Sequence, residues 1–279
     1  MSLSFGVVLS SRRPFAEILR AWQDAEELGF DSGWTYDHFY PLRTGPEEPT
    51  LEGWICLAML LARTRRLRGG VLVTGIPYRH PAVLANMAVT VDIASGGRLE
   101  LGLGAGWFEA ECEAYGIELG TLTERFDRFE EALTVIRSLL TERTTTFDGR
   151  SYQLRDAWCE PKAQQQPHPP IVIGGKGERR TLPLVARFAD HWNYSGMDPD
   201  EFGRLRQRLG ELCEAEGRAL ADIELSAMVR PDADGPGSVV DQASTFEAAG
   251  AQRLLVGFPR PYDPGLLEPV ASVLAPLAS

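Results

Sequence analysis

Eight β-prone segments alternating with eight helical ones predict an α/β fold, a (β/α)8 TIM barrel that takes up residues 1–279 as one domain. Two further observations support this. Two of the strands end in glycine turns, as strands do where a barrel opens onto a ligand. The alternation is interrupted only once, between the fourth and fifth strands, by an insertion at about 144–170 that is polar and Pro-rich. A chain of 279 residues that is 44% hydrophobic is long enough to bury such a core.

Residues 4–9 form the first strand, and Pro14 opens a helix with Phe15, Ile18, Leu19, Trp22 and Ala25 on one face, closed by Gly29. The second strand, 32–36, runs directly into Asp37, His38 and Phe39, which puts these three at a strand's C-terminal end; a Pro/Gly-rich loop and an apolar helix over 54–61 follow. The third strand is 70–74, and Pro81 starts a helix with Leu84, Met87, Ala88 and Val91 at helical spacing. Ser95-Gly96-Gly97-Arg98 makes a two-glycine reversal into the fourth strand, 99–104, which alternates Leu with other residues. That strand ends in the turn Gly104-Ala105-Gly106, ahead of the acidic helix start Glu109-Ala110-Glu111. Thr121 and Glu124 form a capping box for a long helix whose Phe126, Phe129, Leu133, Ile136 and Leu140 make a core-facing stripe.

The insertion reads as a small hairpin over the active face, with β-prone residues at 144–147, the turn Asp148-Gly149 and a short segment at 152–154. Residues 171–173 are the fifth strand, which ends in Gly174-Gly175-Lys176-Gly177 before a helix over about 179–189. A sixth strand at 192–194 leads to a helix capped by Asp198 that carries Phe202, Leu205, Leu209 and Leu212. The seventh strand, 223–229, and its helix, 239–249, precede the eighth strand, 254–257, and a last helix over 266–277.

The net charge of −11, with only two lysines and scattered arginines, argues against a nucleic-acid groove or an anionic membrane surface. The four cysteines lie far apart, with no C-x-x-C pair and no His/Cys ligand spacing, so we expect reduced, packed thiols, no metal and a cytoplasmic location. No apolar run is long enough to span a bilayer.

On a barrel, binding groups come from the C-terminal ends of strands, so the two glycine turns converge on one anion, most naturally a phosphate. Lys176 lies inside the second turn, where it either neutralises that phosphate or sits on the surface in water. His38, between an acid and an aromatic at the end of the second strand, is the best acid/base candidate among four histidines. A glycosidase reading would pair Asp37 with Glu109, but nothing in the sequence sets their separation. Two other readings fail: Trp107 stands where a Rossmann fingerprint needs its third glycine, and there is no Gly-x-Ser-x-Gly elbow for a serine triad.

Tyr36-Asp37-His38-Phe39, Leu72-Val73-Thr74-Gly75, Tyr78-Arg79-His80-Pro81, the stretch from Ser95 to Trp107 and Pro170-Ile171-Val172-Ile173-Gly174-Gly175 together resemble the bacterial luciferase-like monooxygenase superfamily, in its branch that uses the deazaflavin coenzyme F420. The resemblance covers roughly residues 5–193 and implies the barrel with its insertion. It implies catalytic positions at Asp37 and His38 near the cofactor's reactive carbon; should His38 prove a scaffold residue, Glu109 is the next acid to consider. Cofactor contacts are implied at Val71, Leu72 and Thr74, at Gly104, Ala105 and Gly106, and at Gly174, Gly175, Lys176 and Gly177. The family's non-prolyl cis peptide maps on Val71-Leu72. Sugar-phosphate dehydrogenases of the family have a Glu directly after the Gly-x-Gly turn, where this chain has Trp107, so their substrate is not carried over. The expectation is hydride transfer between F420 and a small-molecule substrate by a homodimer. The rivals are an FMN-dependent monooxygenase served by a separate flavin or F420 reductase, and a non-catalytic flavin-binding relative.

Overall fold

The computed structural model describes residues 3–278 apart from 11, 43, 44, 46, 233, 234 and 259–262, so part of the Pro/Gly-rich loop after the second strand lies outside the described residues. The chain runs β1 (Ser4–Val8), α1 (Phe15–Glu27), β2 (Ser32–Thr35), α2 (Gly53–Leu61), β3 (Arg68–Val71), β4 (Thr74–Gly75), α3 (Pro81–Ser95), β5 (Leu99–Gly104), α4 (Glu109–Ala114) and α5 (Leu122–Thr141). It continues with β6 (Thr145–Asp148), β7 (Gln153–Ala157), β8 (Ile171–Gly174), α6 (Thr181–Phe188), β9 (His191–Tyr194), α7 (Pro199–Ala215), β10 (Glu224–Val229), α8 (Ser238–Ala248), β11 (Arg253–Gly257) and α9 (Leu267–Leu274). The strands other than β6 and β7 pair in the order β3-β2-β1-β11-β10-β9-β8-β5-β4, and β3 also pairs with β5, which closes an all-parallel barrel.

Period-two alternation explains the two faces of the wall. In β5, Leu99, Leu101 and Leu103 pack outward into the core beneath the helices, while Glu100, Gly102 and Gly104 take the opposite face. Trp34 plugs the interior together with Val8, Val172 and Leu255. A Cβ on Gly70 would lie 2.6 Å from the Trp34 ring, so the indole needs a glycine there. Its Nε1 donates to Ser32 Oγ at 3.0 Å.

The end of the barrel where strands begin is closed by charge. Glu100, 2% exposed, accepts from Arg253 Nη1 at 2.8 and 2.7 Å and from Arg68 Nε at 2.9 Å. Arg253 Nη2 also meets Glu224 at 2.8 Å. Burial opposes ionisation of Glu100, but Arg253, His191 and Arg68 outweigh it and hold the carboxyl well below the usual range. Among the described residues, Glu100, His191 and Glu224 bring ligand-type atoms within 4.8 Å of one another, but the two arginines already answer the negative charge there.

The two-glycine reversal has a structural purpose. Gly96 and Gly97 have φ of 72° and 79°, and the turn aims Arg98 at carbonyls at and just past the C-terminus of α2, Leu61 O at 2.6 Å and Thr64 O at 3.1 Å.

Two sequence expectations need correction. The third strand is interrupted: β3 leaves the ladder at Val71, β4 rejoins it at Thr74, and the non-prolyl cis peptide is Leu72-Val73, one bond later than Val71-Leu72. The ladder to β2 accounts for the shift, since Val71 still pairs with Thr35 and the Leu72 amide donates to Thr35 O at 2.8 Å. The insertion does form a hairpin, β6–β7, but no residue of it lines the cavity at the strands' C-terminal ends, and its Tyr152 ring instead meets His80 at the start of α3 at 5.2 Å. Glu131 of α5 accepts the amides of Arg150, Ser151 and Tyr152, and Lys162 caps the end of α5 at Leu139 O, 2.9 Å away. Gln165 reaches Asp92 and the Leu99 carbonyl near the closed end.

Candidate active site

The C-terminal ends of the strands surround a cavity of about 870 Å³. Its wall on the third-strand side is Leu72 and Val73 at the break between β3 and β4. A Cβ on Gly104 would come 2.6 Å from a Val73 methyl, and one on Gly174 would come 3.0 Å from the other. The two glycines therefore give Val73 room to stand forward into the cavity.

Asp37 is fully buried and receives both Arg79 guanidinium nitrogens, at 2.6 and 2.9 Å, as well as the Gly75 amide at 3.2 Å. Burial pushes its carboxyl up and the arginine pulls against it. Arg79 also bonds Glu52, the N-cap of α2. Asp37 lies at the cavity wall but is committed to this pairing, which ties the end of β2 to the segment after β4.

His38 follows it and lines the cavity. Its Nδ1 lies 3.0 Å from Glu111 Oε2, and its ring meets Trp107 and Phe108 edge-on at 5.7 and 5.8 Å. Glu111, in α4, is fully buried. Its Oε1 accepts the Phe39 and Tyr40 amides, and Oε2 accepts the Tyr78 hydroxyl besides facing His38. Burial works against ionising Glu111, yet the bonds from His38, Tyr78 and the Tyr40 amide hold its carboxyl below the usual range. Burial first, and then this carboxylate, push the Tyr78 phenol far up, so Tyr78 stays a donor.

The cavity brings together Asp37, His38, Leu72, Thr74, Gly104, Gly106, Gly174 and Gly175 of the residues expected from sequence. Others stand apart from its lining. Val71 is buried within β3, Ala105 and Gly177 flank the turns, and Glu109 is exposed on the first turn of α4. Lys176 is paired with Glu201 at 2.8 Å on the surface. The Gly175 amide is already given to Asn193 O at 3.0 Å, so that turn offers one donor fewer than its sequence suggests. Sequence reasoning passed over Glu111, Tyr78 and Asn193. Three acids alternate in Glu109-Ala110-Glu111-Cys112-Glu113, and only the phase of the helix, visible in the burial of Glu111 and Cys112, selects one.

Residues 3–234 match the model of the luciferase-like monooxygenase family. The chain belongs to that family. A curated relative, the F420-dependent glucose-6-phosphate dehydrogenase of Microbacterium testaceum (strain StLB037), is 34% identical over 219 residues, which are 75% of this chain and 63% of the relative. The chain thus spans somewhat less than two thirds of that enzyme's length. Among solved structures, an F420-dependent secondary alcohol dehydrogenase in complex with an F420-acetone adduct superposes with a TM-score of 0.90 at 19% identity, covering 100% of both chains. The coenzyme F420-dependent tetrahydromethanopterin reductase from Methanopyrus kandleri superposes with 0.87 at 18% identity, again over 100% of both. These likenesses establish the luciferase-like family and its TIM-barrel fold.

Proposed function

We propose that this family member is an F420-dependent oxidoreductase that moves a hydride between the deazaflavin and a small organic substrate. The observation that carries the reading is the cavity itself, where apolar Leu72 and Val73 and an acid/base group, His38, line one space of cofactor size. The residues present fit a flat ring system with an anionic tail. Leu72 and Val73 offer the ring an apolar backing, and Gly104, Gly106 and Gly174 leave the turns beside it without side chains. Ser195 and Asn193 add polar residues to the lining, and Arg230 is the one Lys or Arg among the described lining residues. When bound, the deazaflavin supplies a carbon that accepts or gives the hydride. The chain's part is to orient the ring and substrate, to keep water out with Trp107 and Phe258, and to hold or move a proton at His38.

The relatives named for F420 support the choice of cofactor. They do not decide the substrate: Trp107 directly follows the Gly-x-Gly turn, where the resemblance places a Glu in the family's sugar-phosphate dehydrogenases. We read the protein as a homodimer: Ile55 and Met59 of α2 and Val83 of α3 are 63%, 49% and 55% exposed on adjacent helices, an apolar face suited to a second copy. Four buried free thiols suit the cytoplasm. No helix of the described residues is long and apolar enough to cross a membrane.

Titration of the purified protein with F420 and with FMN, followed by absorbance, tests the cofactor; F420 is expected to bind at least about tenfold tighter. Preferential FMN binding with oxygen uptake would replace this reading by the monooxygenase. His38→Ala is expected to lower turnover by roughly a hundredfold while cofactor affinity stays within a few-fold. Bound F420 with no turnover on any of a panel of alcohols, aldehydes and ketones would leave a binding protein.

A further inference from the structure

We propose that Glu111 is the positioning residue that fixes the tautomer of His38, an inference that rests on the acid/base reading of His38. An ionised carboxylate only accepts hydrogen bonds, and Glu111 is kept ionised by the donors around it. The ring nitrogen facing it, Nδ1 at 3.0 Å, therefore carries a hydrogen. Nε2 is left as the nitrogen available to a ligand in the cavity, with a lone pair in the neutral ring. Such a ring takes a proton from a substrate hydroxyl as the hydride leaves the neighbouring carbon, and Glu111 then faces the imidazolium across its Nδ1–H. In the opposite direction the same Nε2–H returns the proton to a carbonyl oxygen. Tyr78 and the two amides keep the carboxylate from turning away, so the dyad is set before any ligand arrives.

The division of labour between the two carboxylate oxygens makes the idea testable by one isosteric change. Oε1 accepts the amides of Phe39 and Tyr40 and must remain an oxygen, so in Glu111→Gln the new NH2 falls at the Oε2 position, facing His38 Nδ1. That NH2 can only donate, which drives the ring hydrogen from Nδ1 to Nε2.

Nitrogen-15 spectra of ring-labelled protein without cofactor, at a pH where His38 is neutral, read this directly. The Nδ1–H form is expected in the wild type and the Nε2–H form in Glu111→Gln. An Nε2–H ring in the wild type, or the same form in both proteins, overturns the inference. The wild-type spectrum alone can overturn it, even if the variant does not fold.

F420 reduction by a secondary alcohol supplies the second readout. Glu111→Gln is expected to lose about a hundredfold in kcat with KM within a few-fold, and Glu111→Gln/His38→Ala to fall no further than His38→Ala alone. Loss in His38→Ala with near-normal turnover in Glu111→Gln overturns the positioning role by itself. Normal turnover in His38→Ala instead removes the acid/base reading, and the inference with it.

Discussion

Glu100→Gln is expected to weaken the fold without touching the chemistry. Removing this charge leaves Arg253, 8% exposed, with one carboxylate in place of two. Breaking a buried pair by deleting one partner costs about 3–5 kcal/mol. The lower end applies here, because Glu224 remains 2.8 Å from Arg253 and Arg68 can turn to water. At ~2.1 cal/mol/K per residue, a chain of 279 residues has an unfolding entropy of ~0.6 kcal/mol/K, so ~3 kcal/mol becomes a fall of ~5 °C in Tm. Thermal unfolding followed by circular dichroism measures it. F420 affinity, read at the opposite end of the barrel, is expected to stay within about twofold. The double variant Glu100→Met/Arg253→Met is expected to recover at least half of the loss, since the charges it leaves without these partners, Arg68 and Glu224, are each about a third exposed and can turn to water. A fall in Tm below about 2 °C, or a double variant less stable than the single one, would refute the argument that a buried arginine left with half of its negative charge causes the damage.

Three other outcomes follow from the same structure. Gly102→Ala would put a Cβ 1.9 Å from the Val71 carbonyl oxygen, directly below the strand break, so a lower Tm and at least about tenfold weaker F420 binding are expected by scan and titration. Glu100 and Glu111 have carboxyls held below their ordinary value, so their contribution is complete above the unfolded pKa of about 4.3 and is lost as the pH falls below it. Urea midpoints should therefore fall between about pH 5 and pH 3, and a flat profile there would contradict the pairing. Lys176→Ala, which removes a surface pair with Glu201, should leave F420 affinity within about twofold; a large loss would restore Lys176 to the phosphate.

Local signals in the sequence were enough for the elements. The capping box at Thr121 and Glu124 and the Asp198 cap are both present, and the stripe of Phe129, Leu133, Ile136 and Leu140 is buried as its spacing required. What escaped depended on partners distant in the chain. The third strand reads as continuous, and its break appears only when Val73 is seen against Gly104 and Gly174. Asp37 looks like a free acid until Arg79, 42 residues on, occupies it. The insertion's place was illegible because the groups that hold it, Glu131 at the hairpin turn and Asp92 at Gln165, belong to helices that precede it. Glu111 was hidden by helix phase, and Lys176 drew notice by rarity alone, which says nothing about where its side chain goes.

Trp107 and Glu111 sit four residues apart and stand in opposite relations to the rest of the molecule. The indole is 61% exposed at the cavity mouth, whereas every acceptor site of the buried carboxylate is in use. Changing the first alters what the cavity touches at little cost to folding; changing the second disturbs the backbone of Phe39 and Tyr40 together with two side chains. Substrate preference and proton handling can thus diverge separately along descent, although less than two helical turns of chain encode both. A library randomised at Trp107 alone would vary the cavity mouth and one ring against His38 while leaving the bonds of Glu111 in place.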